Sequence, residues 1–139
     1  FGMKVHVGTD TRGLVHTVTT TDAAQADITQ LPALLHGQET TLYGDKAYYK
    51  AEDKLHWECS GGTYRVNKSG KRTAHGDTIN AARSRVRARG EHVFRVVKCA
   101  WGFTKVRYRG LMKNTTRVLA TFALANLYQV RHRLLAVGT

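Results

Sequence analysis

Glu91 is the acid whose neighbours in the sequence make it a candidate for chemistry. Arg87 precedes it by four residues and Lys98 follows it by seven. In a helix, with about 100° of rotation per residue, the three side chains fall within about 40° of one another and share a face. Such a helix holds one carboxylate out between two cations. The alternative is a solvated face with an ordinary i,i+4 ion pair, worth a few tenths of a kcal/mol.

Asp45 is a second candidate acid, because it directly follows a short β-prone run at residues 40–44. Loops at strand ends are held by a rigid sheet and stay open to solvent, so an acid there is well placed for chemistry. The alternative for Asp45 is a turn or helix N-cap residue. If Asp45 and Glu91 come together, two carboxylates with flanking cations fit divalent-metal-dependent phosphoryl transfer on nucleic acid.

The elements that must position these acids begin with a predicted hairpin. Met3, Val5 and Val7 alternate with polar residues or glycine, which is the period-two pattern of a half-buried strand. Residues 9–13 supply turn chemistry, and residues 14–20 are rich enough in β-branched side chains to form the returning strand.

Short elements are predicted next. Asp22 is expected to cap a helix that ends at Gly37, with Pro32 bending it or delaying its start. A short helix over residues 49–57 and a strand over residues 63–66 follow. The basic, glycine-containing residues 68–76 suggest a loop, mobile or in contact with phosphate.

Two longer helices complete the chain. Asp77 is predicted to cap a helix that runs to about Lys98, in which Gly90 costs about 1 kcal/mol relative to alanine. This helix is expected to dock through three valines, Val86, Val93 and Val97. A final helix from Asn114 is predicted to pack on the core through apolar residues at helical spacing, namely Val118, Leu119, Phe122, Leu127, Val130 and Leu134.

A basic segment separates these two helices. Its cations are Lys105, Arg107, Arg109 and Lys113. Because Val106, Tyr108 and Leu111 are interleaved with them, an extended chain would place the cations on one side, an arrangement suited to binding phosphates. The alternative is a strand or loop that covers the core and carries ordinary solvated charges. The net charge of +12 favours a polyanionic partner such as nucleic acid.

The 139 residues fit one domain, residues 1–139. No apolar run approaches the roughly 20 residues that cross a bilayer, so no membrane span is predicted. The sequence does not open on a signal-peptide pattern, and Cys59 and Cys99 fit reduced, structural thiols. These features predict a cytoplasmic protein.

The residues singled out above resemble those of bacterial insertion-sequence transposases of the DDE class, in the group with the Tyr-Arg-Glu-Lys signature. In that signature two residues stand between the tyrosine and the arginine, three between the arginine and the glutamate, and six between the glutamate and the lysine. Arg87, Glu91 and Lys98 have the last two of these spacings. Ser84 stands where the signature has tyrosine. The similarity is to the C-terminal part of the catalytic domain. Its further segments are residues 4–6, 44–48, 91–94, 102–111 and 124–127.

The resemblance implies an α/β fold of the ribonuclease-H-like kind, a mixed sheet flanked by helices, here lacking the first strand. It implies that Asp45 and Glu91 are the second and third metal-binding, catalytic acids, with Mg²⁺ or Mn²⁺ as cofactor. Arg87 and Lys98 then position transposon-end DNA. The implied reaction is hydrolysis at an element end, followed by attack of the freed 3′ hydroxyl on target DNA.

The first aspartate of this family normally precedes the Lys-x-His strand and is expected upstream of Phe1, since Asp10 lies at the far end of that strand. With one acid absent, we predict that this polypeptide alone binds divalent ions weakly and lacks strand transfer. Loss of a central strand exposes sheet edge and apolar surface, which favours a homodimer, aggregation or a rearranged sheet. The alternative functions are a non-catalytic DNA-binding module and a ribonuclease-H-like nuclease without strand transfer.

Overall fold

The computed structural model describes residues 2–66 and 74–137, with the side chains of 74–77 and 80 left out. In this part of the chain the fold is mixed α/β, with four strands and four α-helices. The chain divides into two compact units. The hairpin unit comprises Phe1–Gln25 and Arg89–Thr139, and the central unit comprises Ala26–Ala88.

The hairpin unit opens with the predicted antiparallel hairpin. β1 (Met3–Thr9) pairs with β2 (Val15–Asp22), and Val7 lies opposite Val18. The alternation of apolar and polar residues forms this hairpin because successive side chains point to opposite faces, so one face can pack on the core. The prediction of a hairpin here is confirmed.

Asp10 organises the turn between these strands. Its Oδ1 accepts hydrogen bonds from the backbone N–H groups of Arg12, at 2.9 Å, and Leu14, at 2.8 Å. Burial raises the pKa of Asp10, but these hydrogen bonds and the Arg12 guanidinium outweigh it and hold the pKa below its usual value. Gly13 completes the turn with a φ of 84°, a conformation that favours glycine.

The two long helices differ from their predicted bounds. α3 spans Ala74–Arg95 and continues as one π-helical turn, Val96–Ala100. The prediction that Asp77 caps α3 is wrong, because the helix begins three residues earlier and Asp77 lies within its first turn. The helix is α-helical only to Arg95, so Lys98 lies in the π turn. The predicted phosphate-contacting loop lies outside the described residues, except that residues 74–76 belong to α3.

Gly90 has a packing reason that the sequence alone does not reveal. A Cβ atom at this position would lie 2.8 Å from Oγ1 of Thr9, closer than side chains normally approach. The end of β1 therefore comes close to α3 because residue 90 has no side chain.

The core of the hairpin unit joins the two long helices to the hairpin. Its buried residues are Val93, Val97, Val118, Phe122 and Ala125, and five partly buried residues of the hairpin pack against them, Met3, Val5, Val7, Val15 and Val18. The predicted docking through Val93 and Val97 is confirmed, whereas Val86 is only partly buried. At about 1.5–3 kcal/mol for each fully buried valine or phenylalanine side chain, burial of these residues stabilises the unit.

α4 is longer and less buried than predicted. It spans Leu111–Val137 and therefore begins three residues before Asn114. Val118 and Phe122 are buried as expected. The prediction that the other apolar residues pack on the core is wrong for three of them, whose exposed fractions are 48% for Leu119, 56% for Leu127 and 54% for Leu134. The core covers one side of this helix, and these three leucines lie outside it.

Asp22 does not cap a helix. β2 extends to this residue, and its Oδ1 accepts hydrogen bonds from two backbone N–H groups in the turn that follows. The central unit then opens with a 3-10 turn, Asp27–Gln30, and α1, Leu31–Leu34. Pro32 lies at the start of α1, where its missing N–H costs nothing, so it delays the helix as one of the two alternatives predicted.

The rest of the central unit up to Tyr64 is a strand, helix and strand in sequence. β3 (Thr41–Leu42) and β4 (Thr63–Tyr64) pair in parallel, with α2 (Ala51–Cys59) in the connection between them. Parallel neighbours need such a crossover, which explains why a helix separates two short strands. Both strands are shorter than predicted, and α2 begins two residues later.

Two smaller predictions can also be compared. Cys59 and Cys99 are free thiols, but both are exposed, so they do not serve the core as structural thiols. Among the helices of residues 2–66 and 74–137, none combines the length and the hydropathy needed to cross a membrane.

Candidate functional site

Asp45 lies in the connection that leaves β3. It precedes a 3-10 turn, Lys46–Tyr48, and its Oδ1 accepts a hydrogen bond from the Lys46 N–H at 2.7 Å. The side chain is 53% exposed. Asp45 therefore caps a turn, and its carboxylate also remains open to solvent after a strand.

Arg87 is brought to Asp45 by α3 within the central unit. Its Nη1 lies 3.5 Å from Asp45 Oδ1, and the Arg87 side chain is 23% exposed. An ion pair with one largely exposed partner is worth about 0.2–1 kcal/mol. Both contacts use Oδ1, and Oδ2 of Asp45 makes no hydrogen bond within the described part of the chain. One oxygen of this carboxylate is thus left for a ligand.

The residues around Asp45 hold its loop in place. Tyr64 is 5% exposed, and its hydroxyl donates a hydrogen bond to the Tyr48 carbonyl oxygen at 2.9 Å. Burial raises the pKa of the Tyr48 phenol, and the charges of Asp27 and Asp45 raise it further, so this phenol stays neutral at physiological pH. On the other side of Asp45, a Cβ at Gly44 would lie 3.3 Å from Cγ2 of Val66. The loop therefore follows a well-packed path.

Glu91 is exposed on α3, one helical turn after Arg87, and belongs to the hairpin unit. It directly follows Gly90, so β1 packs close to the backbone beside it. Asp45 and Glu91 thus belong to different units of the chain. That one metal ion binds both carboxylates stays a prediction.

A divalent-metal site cannot be completed from the described residues. Within residues 2–66 and 74–137, no group of three or more His, Cys, Asp or Glu side chains is placed to hold a metal ion. The two acids fit a hard cation in donor type, because Mg²⁺ and Mn²⁺ prefer carboxylate oxygens and keep several waters. Asp10, the first acid in the sequence, is engaged in the hairpin turn.

The positive charge is concentrated in the C-terminal third of the chain. All ten acids lie within residues 1–91, so residues 92–139 contain none and contribute +9 of the +12 formal charge. The nine cations are Arg95, Lys98, Lys105, Arg107, Arg109, Lys113, Arg117, Arg131 and Arg133. A stretch with this charge favours binding to a polyanion.

The cationic loop, residues 101–110, is not the extended segment that the alternation predicts. It forms neither strand nor helix, and two of the interleaved residues face solvent, since Val106 is 43% and Tyr108 is 49% exposed. Lys105, Arg107 and Arg109 are also exposed, and none of them pairs with an acid in the described chain. Lys113 is exposed in the first turn of α4.

Asn114 explains why the cationic loop is not a strand, and we did not identify it from the sequence. Its side chain is buried and forms hydrogen bonds with backbone groups of Arg107, Tyr108 and Gly110. A strand would need these groups for pairing with a neighbour. The available signal was an asparagine four residues after a glycine at the start of a helix.

Lys98 and Arg117 rest on aromatic rings. The Lys98 ammonium lies 5.6 Å from the centroid of the Phe94 ring, and the Arg117 guanidinium lies 4.4 Å from that of Phe103. Arg117 Nη1 also donates a hydrogen bond to the Lys105 carbonyl oxygen at 3.4 Å. These contacts hold the charged groups of Lys98 and Arg117 against aromatic rings, and both groups keep their positive charge.

Comparison with known proteins gives the family. No solved structure matches the chain. The family model described as the transposase DDE domain matches residues 1–127, which include Asp45, Glu91 and the cationic loop. Because the match covers most of the 139 residues, the chain belongs to the transposase DDE domain family.

Proposed function

We propose that the chain is the C-terminal part of the catalytic domain of a DNA transposase that hydrolyses DNA at element ends and joins the freed 3′ hydroxyl to target DNA. The family match over residues 1–127 carries this proposal. A ribonuclease-H-like arrangement of the complete domain belongs to the same proposal, as does an insertion sequence as the source of the element.

In this proposal Asp45 and Glu91 are catalytic acids that bind Mg²⁺ or Mn²⁺. Asp45 supports the assignment because Lys46 and Arg87 engage one of its oxygens and leave the other. The two carboxylates would hold the metal, and a pair of such ions would supply activation of the attacking oxygen and stabilisation of the leaving one. The role of the chain is to hold the carboxylates in place, and before DNA binds the ion pair with Arg87 contributes weakly to the orientation of Asp45.

DNA is the proposed polyanionic partner, in the form of transposon ends and target. We assign its backbone contacts to Arg87, Lys98 and the cations of the loop and of α4, Lys105, Arg107, Arg109 and Lys113. An acid-free stretch of nine cations supports this assignment. The same stretch also favours the second candidate, a non-catalytic DNA-binding module derived from a transposase.

Manganese titration followed by nuclear magnetic resonance tests the metal assignment without requiring turnover. A bound Mn²⁺ broadens the signals of nearby amides, even at the weak affinity predicted here. We expect selective broadening at residues 45–46 and 90–92. The variant Asp45→Asn should remove the effect at Glu91, and Glu91→Gln should remove it at Asp45, because each loses a ligand of a shared ion.

Asp53→Asn is the control, since Asp53 is an acid on α2 outside the proposed site. It should leave the broadening unchanged. Broadening at Asp45 that survives Glu91→Gln would refute a shared ion. A lack of selective broadening at both acids would leave the DNA-binding module as the better description.

A further inference from the structure

We propose that Asn114 is a positioning residue that preforms the cationic loop as a binding site for the phosphates of the DNA backbone. The proposal deepens the proposed function, because it rests on DNA binding by this loop. Asn114 itself does not touch DNA in this account. It acts through the backbone that carries Arg107 and Arg109.

The side chain of Asn114 is satisfied by the loop on both sides. Its Oδ1 accepts hydrogen bonds from the N–H groups of Arg107, at 3.3 Å, and Tyr108, at 3.1 Å. Its Nδ2 donates to the carbonyl oxygens of Tyr108, at 2.6 Å, and Gly110, at 2.7 Å. An asparagine side chain offers two acceptor lone pairs and two donors, so all four positions are used.

Burial makes these hydrogen bonds important for the loop. Asn114 is 4% exposed, so water cannot replace the loop as a partner without opening the structure. Gly110 has a φ of 86°, which turns the chain from the loop into α4. The backbone from residue 107 to residue 110 is therefore held in one conformation.

The side chains on this rigid backbone are cations in water. Lys105, Arg107 and Arg109 are exposed, and no acid occurs after Glu91 in the sequence to compete for them. A fixed backbone lowers the entropy lost when such side chains bind. The geometry points to an anionic ligand, because Asn114 fixes the backbone that carries two exposed arginines, Arg107 and Arg109. Phosphate oxygens fit, because arginine binds them through two parallel hydrogen bonds.

Asn126 provides a matched control on the same helix. Its Oδ1 accepts from the Val15 N–H at 2.9 Å, and its Nδ2 donates to the Val15 carbonyl oxygen at 2.7 Å. It therefore clamps the backbone of β2 in the way that Asn114 clamps the cationic loop. Loss of either amide removes side chain to backbone hydrogen bonds, but only Asn114 contacts the cationic loop.

The experiment measures binding of the full chain to a fluorescent DNA duplex by anisotropy between roughly 50 and 200 mM NaCl, in EDTA, because contacts to the phosphate backbone change affinity strongly over this range. The slope of log affinity against log salt is negative, and Arg107→Gln should reduce its magnitude by about one, because one phosphate contact is lost. Asn114→Ala should reduce this magnitude by about one to two, and Arg107→Gln should then have little further effect. Asn126→Ala should keep the parent slope.

Backbone amide exchange keeps the test valid if a variant is less stable. Asn114→Ala should deprotect the amides of Arg107 and Tyr108 roughly tenfold or more while the core amides of Val93 stay protected. Asn126→Ala should instead affect the amide of Val15. This readout distinguishes opening of the loop from unfolding.

The outcomes separate this inference from the proposed function. An Asn114→Ala protein with deprotected loop amides but the parent slope would overturn the positioning role alone. A parent chain that does not bind DNA would overturn both the role and DNA binding. Because the titration contains EDTA, a failure of the metal assignment does not affect the result.

Discussion

Replacing Asp45 by asparagine should separate its structural contribution from its proposed metal-binding one. Asparagine keeps an oxygen that accepts the Lys46 N–H, and it is as good an N-cap as aspartate. It loses only the ion pair with Arg87, in which Asp45 is 53% exposed. The free energy of unfolding should therefore fall by roughly 0.5 kcal/mol and by no more than about 1 kcal/mol.

Asp45→Ala removes the ion pair and the acceptor together. Loss of an N-cap acceptor costs about 0.5–2 kcal/mol, and the short turn after Asp45 places this case at the low end. We expect a total loss of about 1 kcal/mol, or roughly 3 °C in melting temperature for a chain of this size. Both variants should abolish the manganese effect at residues 45–46.

Urea unfolding in the absence of metal measures these differences, with Asp22 as the matched acid. Its carboxylate accepts two backbone hydrogen bonds in a turn of the hairpin unit. Asp22→Ala should destabilise the chain by a similar amount and leave manganese binding unchanged. A loss above about 2 kcal/mol for Asp45→Asn would show that its charge holds the fold, and would refute our description of a carboxylate available to a ligand.

Three further outcomes are expected. Gly90→Ala should destabilise the chain, because the new Cβ would lie 2.8 Å from Thr9 Oγ1. In a Thr9→Ala background the same change should raise the free energy of unfolding by about 1 kcal/mol. Thermal unfolding of the parent, the two single variants and the double variant measures this coupling, and additive effects would contradict it. The pKa of Asp10 is lowered on folding, so its contribution to stability should be present above about pH 4 and be lost as the pH falls through the lowered value. In urea unfolding from about pH 6 to about pH 2, the free energies of unfolding of the parent and of Asp10→Asn should therefore converge at low pH. If the exposed apolar side of α4 mediates the predicted homodimer, Leu127→Asn should weaken self-association in sedimentation equilibrium without lowering the melting temperature. Unchanged self-association would exclude this side of α4 as the dimer interface.

The pattern of apolar and polar residues in the sequence was enough to predict several elements of the fold. The alternation of Met3, Val5 and Val7 was sufficient to predict β1, because a strand exposes alternate residues to the core. The helical spacing of apolar residues predicted burial of Val118 and Phe122 in α4, but the same pattern included three leucines that are exposed. The acid-free character of residues 92–139 is likewise a property of the sequence alone.

The exact bounds of elements depended on tertiary contacts. Asp22 has the residue type of a helix cap, but pairing with β1 extends β2 through it, and the carboxylate then caps a turn. Residues 105–109 alternate like a strand, yet within residues 2–66 and 74–137 no neighbouring strand pairs with them. Asn114, close in sequence but on the next helix, takes those backbone groups instead.

The candidate site shows the same division. Residue types and spacing in the sequence selected Asp45, Glu91 and Arg87, because carboxylates and arginine are suited to metal and phosphate chemistry wherever they lie. Only the tertiary structure brought Arg87 to within 3.5 Å of Asp45, since these residues are far apart in the chain. It also showed that Gly90 is needed for the approach of Thr9. Such contacts depend on how segments that are distant in the sequence pack together, and the local sequence around each residue does not specify which distant segment it will meet.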